Sequence, residues 1–219
     1  MTSDPTMCLD YNDIVVVVGN YGSGKTEVSI NLAVTEKQAG KAVQVADLDL
    51  VNPYFRTREA REQLRMLGID VILPQERYMK ADLPILSPGV AAMLQTKEIL
   101  AILDVGGDGV GATVLAALAE AFQRRPAKVL QVVNPFRPYT DTIEGCEKIR
   151  NEIEVTSKMK ITGIVSNANM MQDTTMEHIR QGYDFILRLA DHNGLPIEFI
   201  TIPDGLPKEN DRDQFSCPF

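Results

Sequence analysis

The residues best suited to chemistry form a glycine-rich octet near the N-terminus, Gly-Asn-Tyr-Gly-Ser-Gly-Lys-Thr at 19–26. The octet fits the pattern Gly-x-x-x-x-Gly-Lys-Ser/Thr without a mismatch. In such a loop, consecutive backbone N–H groups point inward and can cradle phosphate oxygens. Lys25 can then neutralise the β- and γ-phosphates, and the Thr26 hydroxyl can ligate Mg²⁺. The octet therefore predicts a binding site for a nucleoside triphosphate.

The segments that flank the octet favour the structure that a phosphate-binding loop needs. Residues 14–18 are uniformly apolar and mostly β-branched, which is typical of a strand buried on both faces. After the octet, Val28 and Leu32 predict a helix that packs on the sheet, and Gly40 stands where a helix should end. The N-terminus of that helix would direct its positive dipole end at the phosphates.

Strand and helix candidates alternate along the whole chain. The strand candidates lie at 14–18, 43–47, 70–73, 99–104, 128–133, 161–166 and 197–202. The helix candidates lie near 25–39, 56–67, 88–97, 112–123, 140–157 and 173–192. This alternation predicts an α/β fold, with a mainly parallel sheet that helices cover on both faces. The polar, proline-containing segment 74–88 interrupts the alternation and is expected to form an exposed loop.

Length and composition limit the organisation of the chain. Its 219 residues, 24% of them charged, suit a single domain over 1–219. Low order is expected for the ends, about 1–12 and 208–219. The formal net charge of −8 makes a nucleic-acid partner unlikely. The basic cluster of Arg124, Arg125 and Lys128 is interpreted as a solvated helix end.

Cysteine usage indicates a reducing, cytoplasmic location. The three cysteines Cys8, Cys146 and Cys217 are scattered, without a Cys-x-x-Cys pair. Cys146 is either a buried, inert thiol, which we favour, or one ligand of an iron–sulfur cluster shared across a dimer. No secretory leader and no apolar stretch long enough for a membrane span is found.

Carboxylates follow two of the predicted strands. The strand at 43–47 ends in Asp47-Leu48-Asp49, and both carboxylates are expected in the nucleotide cleft, because ligands bind beyond the carboxyl ends of parallel strands. One of the two would hold Mg²⁺ or its waters, and the other would orient the attacking water. The alternative is a helix N-cap and a loop charge. Asp104 ends the strand at 99–104 and would stay close to the metal.

Glycines after Asp104 add a mobile element to the predicted site. The Gly107 N–H can approach the γ-phosphate, and loss of that bond after hydrolysis would release the glycine-rich residues 108–111. Hydrolysis of the nucleotide would thereby change the conformation of this loop.

The ends of the last two predicted strands are candidates for contact with the nucleotide base. Asn167 offers an amide to a purine edge, and Pro203-Asp204 forms a turn that can close over the base. The guanine signature Asn-Lys-x-Asp is absent, since Ala168 and Met170 occupy the Lys and Asp positions. ATP is therefore favoured over GTP. Ordinary strand-to-helix turns are the alternative for both segments.

Together these residues resemble the MinD/ParA group of P-loop ATPases, which is related to nitrogenase iron protein, cobyrinic acid diamide synthases and dethiobiotin synthetase. The resemblance rests on the octet, Asp47-x-Asp49, Asp104-x-x-Gly107 and Asn167. It implies a sheet of seven or eight strands that binds ATP or ADP with Mg²⁺ at its carboxyl edge.

The resemblance also implies a set of site residues. Nucleotide contacts are expected from Asn20, Tyr21, Gly22, Ser23, Gly24, Lys25, Thr26, Glu27, Gly107, Asn167, Pro203 and Asp204. Metal contacts are expected from Thr26, Asp49 and Asp104, and catalytic roles from Lys25, Asp49 and Asp47.

The chain departs from that group at two points. Many members carry a lysine just after the first glycine of the octet, which reaches the nucleotide of a dimer partner, whereas this chain has Asn20. A homodimer remains open, with Arg56, Arg58 or Arg137 as a substitute cation. Residues 208–219 are too short and too acidic for an amphipathic membrane anchor.

Three functions are compatible with these residues. The favoured one is an ATPase switch that hydrolyses ATP slowly and acts on an unidentified protein partner. The second is an enzyme that uses ATP on a small-molecule substrate, as a kinase or an amide-forming ligase. The third is a nucleotide-binding module with negligible turnover. The aromatic and arginine residues at 52–56 and 134–139 either mark a partner surface or fill gaps between helices and sheet.

Overall fold

The computed structural model of the chain describes residues 11, 13–49, 61–73, 88–107, 109–206, 211 and 214–219. The strands within these residues are β1 (Ile14–Gly19), β2 (Val43–Asp47), β3 (Asp70–Ile72), β4 (Leu100–Asp104), β5 (Ala127–Val133), β6 (Gly163–Ser166) and β7 (Ile197–Ile200). The helices are α1 (Lys25–Gln38), α2 (Arg61–Met66), α3 (Pro88–Gln95), α4 (Gly109–Ala117), α5 (Ala119–Arg124), α6 (Ile143–Ser157) and α7 (Met176–Asn193). A short 3₁₀ helix spans Met171–Asp173.

The described strands form one parallel sheet in the order β3-β2-β4-β1-β5-β6-β7. The predicted α/β fold with a mainly parallel sheet is confirmed, with seven strands in the part of the chain that the structure describes. Strand β1 lies between β4 and β5, so the loop that follows it emerges near the middle of the carboxyl edge. That edge is where an open α/β sheet binds its ligands.

The sheet is buried on both faces because alternate side chains of β1 enter two separate cores. Val15 and Val17 pack in one core, which includes residues of α1 such as Leu32. Ile14 and Val16 pack in the other core, which includes residues of α3 and α4. A strand buried on both sides needs apolar residues at every position, and this requirement explains the unbroken apolar sequence of β1.

Helix boundaries follow local capping chemistry. Helix α1 begins directly after Gly24, and Gly40, with φ of 91°, follows its end. Helix α7 begins with a capping box in which Thr175 and His178 satisfy each other's backbone N–H groups. None of the described helices combines the length and the apolar character that a bilayer crossing requires.

Two predicted elements differ from the structure. The single helix expected at 112–123 is instead α4 and α5, separated at Leu118, whose side chain is buried in the core. No glycine or proline marks this break, so the sequence pattern could not locate it. Pro88 begins α3, whereas 74–87, and residues 56–60 of the helix expected at 56–67, lie outside the described residues.

The described part of the C-terminal tail packs against α7 and β7, although its composition led us to expect low order. The Phe215 ring is buried and lies edge-on to Tyr183, with ring centroids 5.1 Å apart. The Pro218 carbonyl accepts a hydrogen bond of 2.9 Å from the Ile200 backbone N–H. Aromatic burial and this backbone bond outweigh the charged composition of the segment.

Arg125 is buried, which corrects its interpretation as part of a solvated helix end. Only 4% of the residue is exposed, and its Nε lies 3.3 Å from Asp13 Oδ1. Its guanidinium donates to four carbonyl oxygens at the end of α3 and just beyond it, those of Met93, Leu94, Thr96 and Ile99. Arg125 thus supplies charged donors to carbonyls in the last turn of α3 and in the segment that follows it. Lys128, from the same cluster, forms an ion pair with Glu198.

Candidate nucleotide-binding site

The glycine-rich octet connects β1 to α1, as predicted. Gly24 has a φ of 87°, and a Cβ at this position would collide with the Asn167 side-chain amide. Both the left-handed backbone and the close approach of Asn167 therefore require glycine. The helix that starts at Lys25 directs its first N–H groups towards the loop.

The Lys25 side chain lies folded against the loop. The residue is 6% exposed, and its Nζ donates a hydrogen bond of 3.0 Å to the Asn20 carbonyl. Gly107 lies beside it, because a Cβ at 107 would be 2.8 Å from Lys25 Nζ and 2.8 Å from the Tyr21 backbone nitrogen. The structure thus brings together the loop, the lysine and the glycine that the sequence predicted to share a site.

The strand-end carboxylates converge on the same place. Asp47 and Asp104 are register partners at the ends of the adjacent strands β2 and β4, and both are buried. Asp104 Oδ2 accepts a hydrogen bond from Thr26 Oγ1, and Asp104 Oδ1 accepts one of 3.3 Å from Ser29 Oγ. Asp47 Oδ1 accepts the backbone N–H of Asp49 at 3.1 Å.

Burial and charge perturb the Asp104 carboxyl group. Desolvation raises the pKa of Asp104 to about 7, and the neighbouring negative charge of Asp47 adds to the rise. The hydrogen bonds from Thr26 and Ser29 and the positive charge of Lys25 act in the opposite direction. Two buried carboxylates at the ends of adjacent strands form an electrostatic environment that favours a cation.

Asn167 makes contacts that the sequence did not reveal. Its Nδ2 donates a hydrogen bond of 2.6 Å to the Ser23 carbonyl, and its Oδ1 accepts one of 2.5 Å from Thr201 Oγ1. The side chain therefore ties the octet to the end of β7. Its contact with a nucleotide base stays a prediction. The position of Thr201 directly after β7 is the one sequence signal that could have identified this partner.

The remaining predicted contact residues lie at the same edge but are more exposed. Tyr21 is 75% exposed, and Glu27 is exposed on the first turn of α1, where its Oε1 accepts a hydrogen bond from Asn31. Pro203 and Asp204 lie in a turn after β7 in which the Leu206 N–H donates to the Pro203 carbonyl at 3.2 Å. Their roles in nucleotide contact stay predictions.

The aromatic residues of the loop after β5 were expected either to mark a partner surface or to fill gaps between helices and sheet, and they differ in burial. Phe136 is partly buried and lies edge-on to His178, with centroids 5.4 Å apart, so it fills space between elements. Tyr139 is 75% exposed. The other aromatic segment, 52–56, lies outside the described residues, as does Arg58.

Cys146 belongs to a hydrophobic core, which supports the inert-thiol interpretation. It packs with Val133 and Ile186, and its Sγ lies 3.5 Å from the Thr140 carbonyl. Desolvation raises the pKa of the Cys146 thiol to about 12. A protonated, buried thiol is a poor nucleophile and a poor metal ligand.

We expect Cys146 to resist alkylation in the folded protein. Because only the thiolate reacts, a pKa about 3 units above the ordinary value lowers the rate at pH 8 by roughly 1000-fold. The measurement is the rate of thiol labelling in a variant that carries Cys8→Ser and Cys217→Ser, with the denatured protein as control. Equal rates in the folded and denatured protein would contradict the burial of this thiol.

A sequence comparison finds a match over most of the chain. A family model described as the CobQ/CobB/MinD/ParA nucleotide binding domain matches residues 14–182. No curated protein matches the chain significantly in sequence.

Three solved structures are similar to the chain. The cell division protein FtsY of Thermotoga maritima is 26% identical, with a TM-score of 0.59, and the match covers 89% of this chain and 63% of that chain. FtsY of Elizabethkingia anophelis in complex with GDP is 17% identical, with a TM-score of 0.59 and coverage of 94% and 59%. A nucleotide-binding protein of Archaeoglobus fulgidus in complex with ADP is 18% identical, with a TM-score of 0.50 and coverage of 89% and 84%. The last two likenesses show the fold alone.

The chain thus spans less than two thirds of the two FtsY chains. The family match includes the octet, Asp47, Asp104 and Asn167. From this sequence match and this arrangement of residues we conclude that the chain belongs to the CobQ/CobB/MinD/ParA nucleotide-binding domain family.

Proposed function

We propose that the chain binds ATP with Mg²⁺ at the β1–α1 loop and hydrolyses it as a switch that acts on a protein partner. One observation carries the proposal: Lys25, the Thr26–Asp104 pair and Asp47 meet where β1, β2 and β4 end. A lysine, a hydroxyl and carboxylates around a glycine-rich loop are the groups that phosphoryl transfer from a magnesium–nucleotide complex requires.

The loop supplies the phosphate contacts in this proposal. The N–H groups at the start of α1 and the glycine-rich loop before it donate to phosphate oxygens, and the helix dipole favours the negative charge. The Lys25 ammonium, which has three protons to donate, contacts the β- and γ-phosphates and offsets charge that develops during transfer. The Gly107 N–H donates to the γ-phosphate in this proposal, which the close packing of Gly107 against the loop supports.

The residues around Asp104 fit a magnesium ion. Mg²⁺ prefers oxygen ligands, and Thr26 Oγ1 and the Asp104 carboxylate are oxygen donors already in contact. Thr26 would ligate the ion directly, whereas Asp104 would orient its waters. A bound magnesium ion would neutralise charge on the transferring phosphoryl group. Asp104, with its pKa raised by burial and by Asp47, would be held ionised by the positive charge beside it.

Asp49 is the residue that we propose orients the attacking water. It lies two positions beyond the end of β2 and is 8% exposed, whereas Asp47 is fully buried beside Asp104. Asp47 accepts the Asp49 N–H and so helps to fix the position of Asp49. The outer carboxylate is therefore the better placed of the two to reach a water in the cleft.

Substitution of Asp49 by Asn should separate binding from hydrolysis. We expect the Kd for Mg–ATP to change little, and turnover to fall roughly 100-fold because the orienting carboxylate is lost. Phosphate release by the purified protein measures the effect, with Asp191→Asn, at an exposed position of α7, as the matched control. If Asp49→Asn hydrolyses ATP at the wild-type rate, the assignment of Asp49 is wrong.

The choice of ATP over GTP rests on the residues after β6. Ala168 and Met170 replace the Lys and Asp of the guanine signature, and Ala168 is buried rather than available to a base. Among the similar structures, one is a complex with ADP and one a complex with GDP, so both nucleotides belong in the test.

Calorimetry with the wild-type protein tests the proposal directly. We expect magnesium-dependent binding of ATP, with weaker binding of GTP, and slow release of inorganic phosphate from ATP. Binding of GTP in preference to ATP would overturn the base assignment. The absence of magnesium-dependent heat with either nucleotide would overturn the proposed function.

A further inference from the structure

Asn20 holds three hydrogen-bond donors of the glycine-rich loop. Its carbonyl oxygen accepts Lys25 Nζ at 3.0 Å and the Ser23 backbone N–H at 3.2 Å. Its side-chain Oδ1 accepts the Tyr21 backbone N–H at 2.9 Å. One residue thus presents two oxygens to a lysine ammonium and two loop amides.

These donors are the kind that a polyphosphate needs. Phosphate oxygens are bound by backbone N–H groups of a glycine-rich loop and by its lysine. The Tyr21 N–H carries a single proton, so it cannot donate fully to Asn20 and to a phosphate at the same time. Asn20 Oδ1 and a nucleotide oxygen therefore compete for the Tyr21 N–H, whereas the Lys25 ammonium has three protons and can donate to both.

Asn20 is also anchored outside the loop. Its Nδ2 donates a hydrogen bond of 3.1 Å to the Pro138 carbonyl in the loop after β5. That loop is held by its own bonds, since Thr140 Oγ1 donates to the Asn134 carbonyl at 2.7 Å, and Asn134 Oδ1 accepts the Phe136 N–H at 3.0 Å. The anchor keeps the Asn20 side chain in place over the Tyr21 N–H.

The buried Ser23 hydroxyl destabilises the loop conformation that Asn20 holds. Ser23 is fully buried, and no residue in the described part of the chain gives its Oγ a hydrogen-bond partner. A buried hydroxyl without a partner is unfavourable, so a rearrangement that pairs it is favoured. The loop conformation held by Asn20 is consequently easier to leave than a fully satisfied one.

We propose that Asn20 caps the phosphate loop and that a nucleotide must displace this cap before it can bind fully. The inference rests on the proposed function, since it concerns the same loop. Displacement breaks the Asn20–Pro138 bond as well, next to the exposed Tyr139, so nucleotide occupancy is transmitted to the surface of the β5 loop. Asn20 lowers the affinity of the site and slows nucleotide entry.

Substitution of Asn20 by Ala tests the cap. The variant should bind Mg–ADP about 3- to 10-fold more tightly and with a faster association rate, because one side-chain competitor for the loop is gone. Without nucleotide, its melting temperature should be lower than that of the wild type, because two side-chain hydrogen bonds are lost. Calorimetry, stopped-flow binding of a fluorescent ADP analogue and thermal melting measure the three effects.

The control is Asn193→Ala, which removes a hydrogen bond of 2.6 Å to Arg150 at the far end of α7. This variant should lose stability without a change in nucleotide affinity. Asn20→Leu, which keeps the side-chain volume without a hydrogen-bond acceptor, serves as a second variant in case Asn20→Ala does not fold, and the same gain in affinity is expected. A merely structural role of Asn20 would lower stability and leave the affinity unchanged.

These measurements distinguish failure of the proposed cap from failure of the proposed function. If the wild type binds Mg–ADP and both Asn20 variants bind it with equal or lower affinity, the cap is wrong while the proposed function stands. If the wild type binds neither adenine nor guanine nucleotides, the proposed function falls and the cap falls with it.

Discussion

The Lys25→Ala variant should lose measurable nucleotide binding. Lys25 is the positive side chain of the octet, and it lies folded against the loop within reach of where phosphates would bind. Charge-assisted hydrogen bonds to two phosphates are lost together, so we expect the Kd for Mg–ATP to rise roughly 100-fold or more. Calorimetry measures the change.

The control for Lys25→Ala is Lys148→Ala, which removes an exposed lysine from α6. Its affinity for nucleotide should equal that of the wild type. Circular dichroism checks the fold of both variants, and Lys25→Met retains most of the side-chain volume if Lys25→Ala is unstable. A folded Lys25 variant that binds Mg–ATP within about 3-fold of the wild type would exclude this loop as the phosphate site.

The Arg125→Ala variant should show the largest loss of stability. The substitution removes a charged donor from four carbonyl oxygens and leaves Asp13 without this ion pair. Removal of a charged donor from buried carbonyl oxygens typically costs about 1–3 kcal/mol, whereas Asp13 is half exposed, so loss of its ion pair adds little. We expect a decrease of that size in the free energy of unfolding, measured by urea denaturation.

The neighbouring residue provides a matched control for Arg125. Arg124 is exposed and carries the same side chain, so Arg124→Ala should change the free energy of unfolding by less than about 0.5 kcal/mol. Equal effects of the two substitutions would contradict the structural role of Arg125. Since Arg125 precedes β5 and contacts Asp13, at the opposite edge of the sheet from the octet, nucleotide affinity of any folded Arg125 variant should be retained.

The two arginines show where sequence reasoning reaches its limit. They are adjacent and chemically identical, and nothing in the local pattern says which of them is buried. Arg125 is distinguished only by the carbonyls that α3 and the turn after it bring to its side chain. Such contacts join distant segments, so composition and periodicity cannot reveal them.

The strands were predictable because burial on both faces of a parallel sheet demands apolar runs. Strand β2 has the predicted bounds, and the predicted positions of Asp47 and Asp104 follow from where such runs end. The convergence of Lys25, Thr26 and Asp104 was predictable for the same reason, since parallel strands deliver their carboxyl ends to one edge. The sheet order and the packing of the C-terminal tail depend on tertiary contacts instead.

The contacts of polar residues within the site were less predictable than their presence. Asn167 was expected at the carboxyl edge of the sheet, and it lies there beside the octet, but its hydrogen bonds to Ser23 and Thr201 depend on three separate segments. The sequence marked Asn20 as an expected nucleotide contact and as the replacement for a lysine, but not as a partner of Pro138. Its bond to Pro138 joins residues 118 positions apart, and no local pattern encodes it.

The register between β2 and β4 has a consequence for how this scaffold could be adapted. Asp47 and Asp104 are held by backbone pairing within the sheet, not by the connections that leave it. Their separation is therefore insulated from changes in those connections. The surface segments between strands could therefore be exchanged to recognise a different ligand. The geometry of Asp47 and Asp104 would stay the same, because the sheet alone sets it.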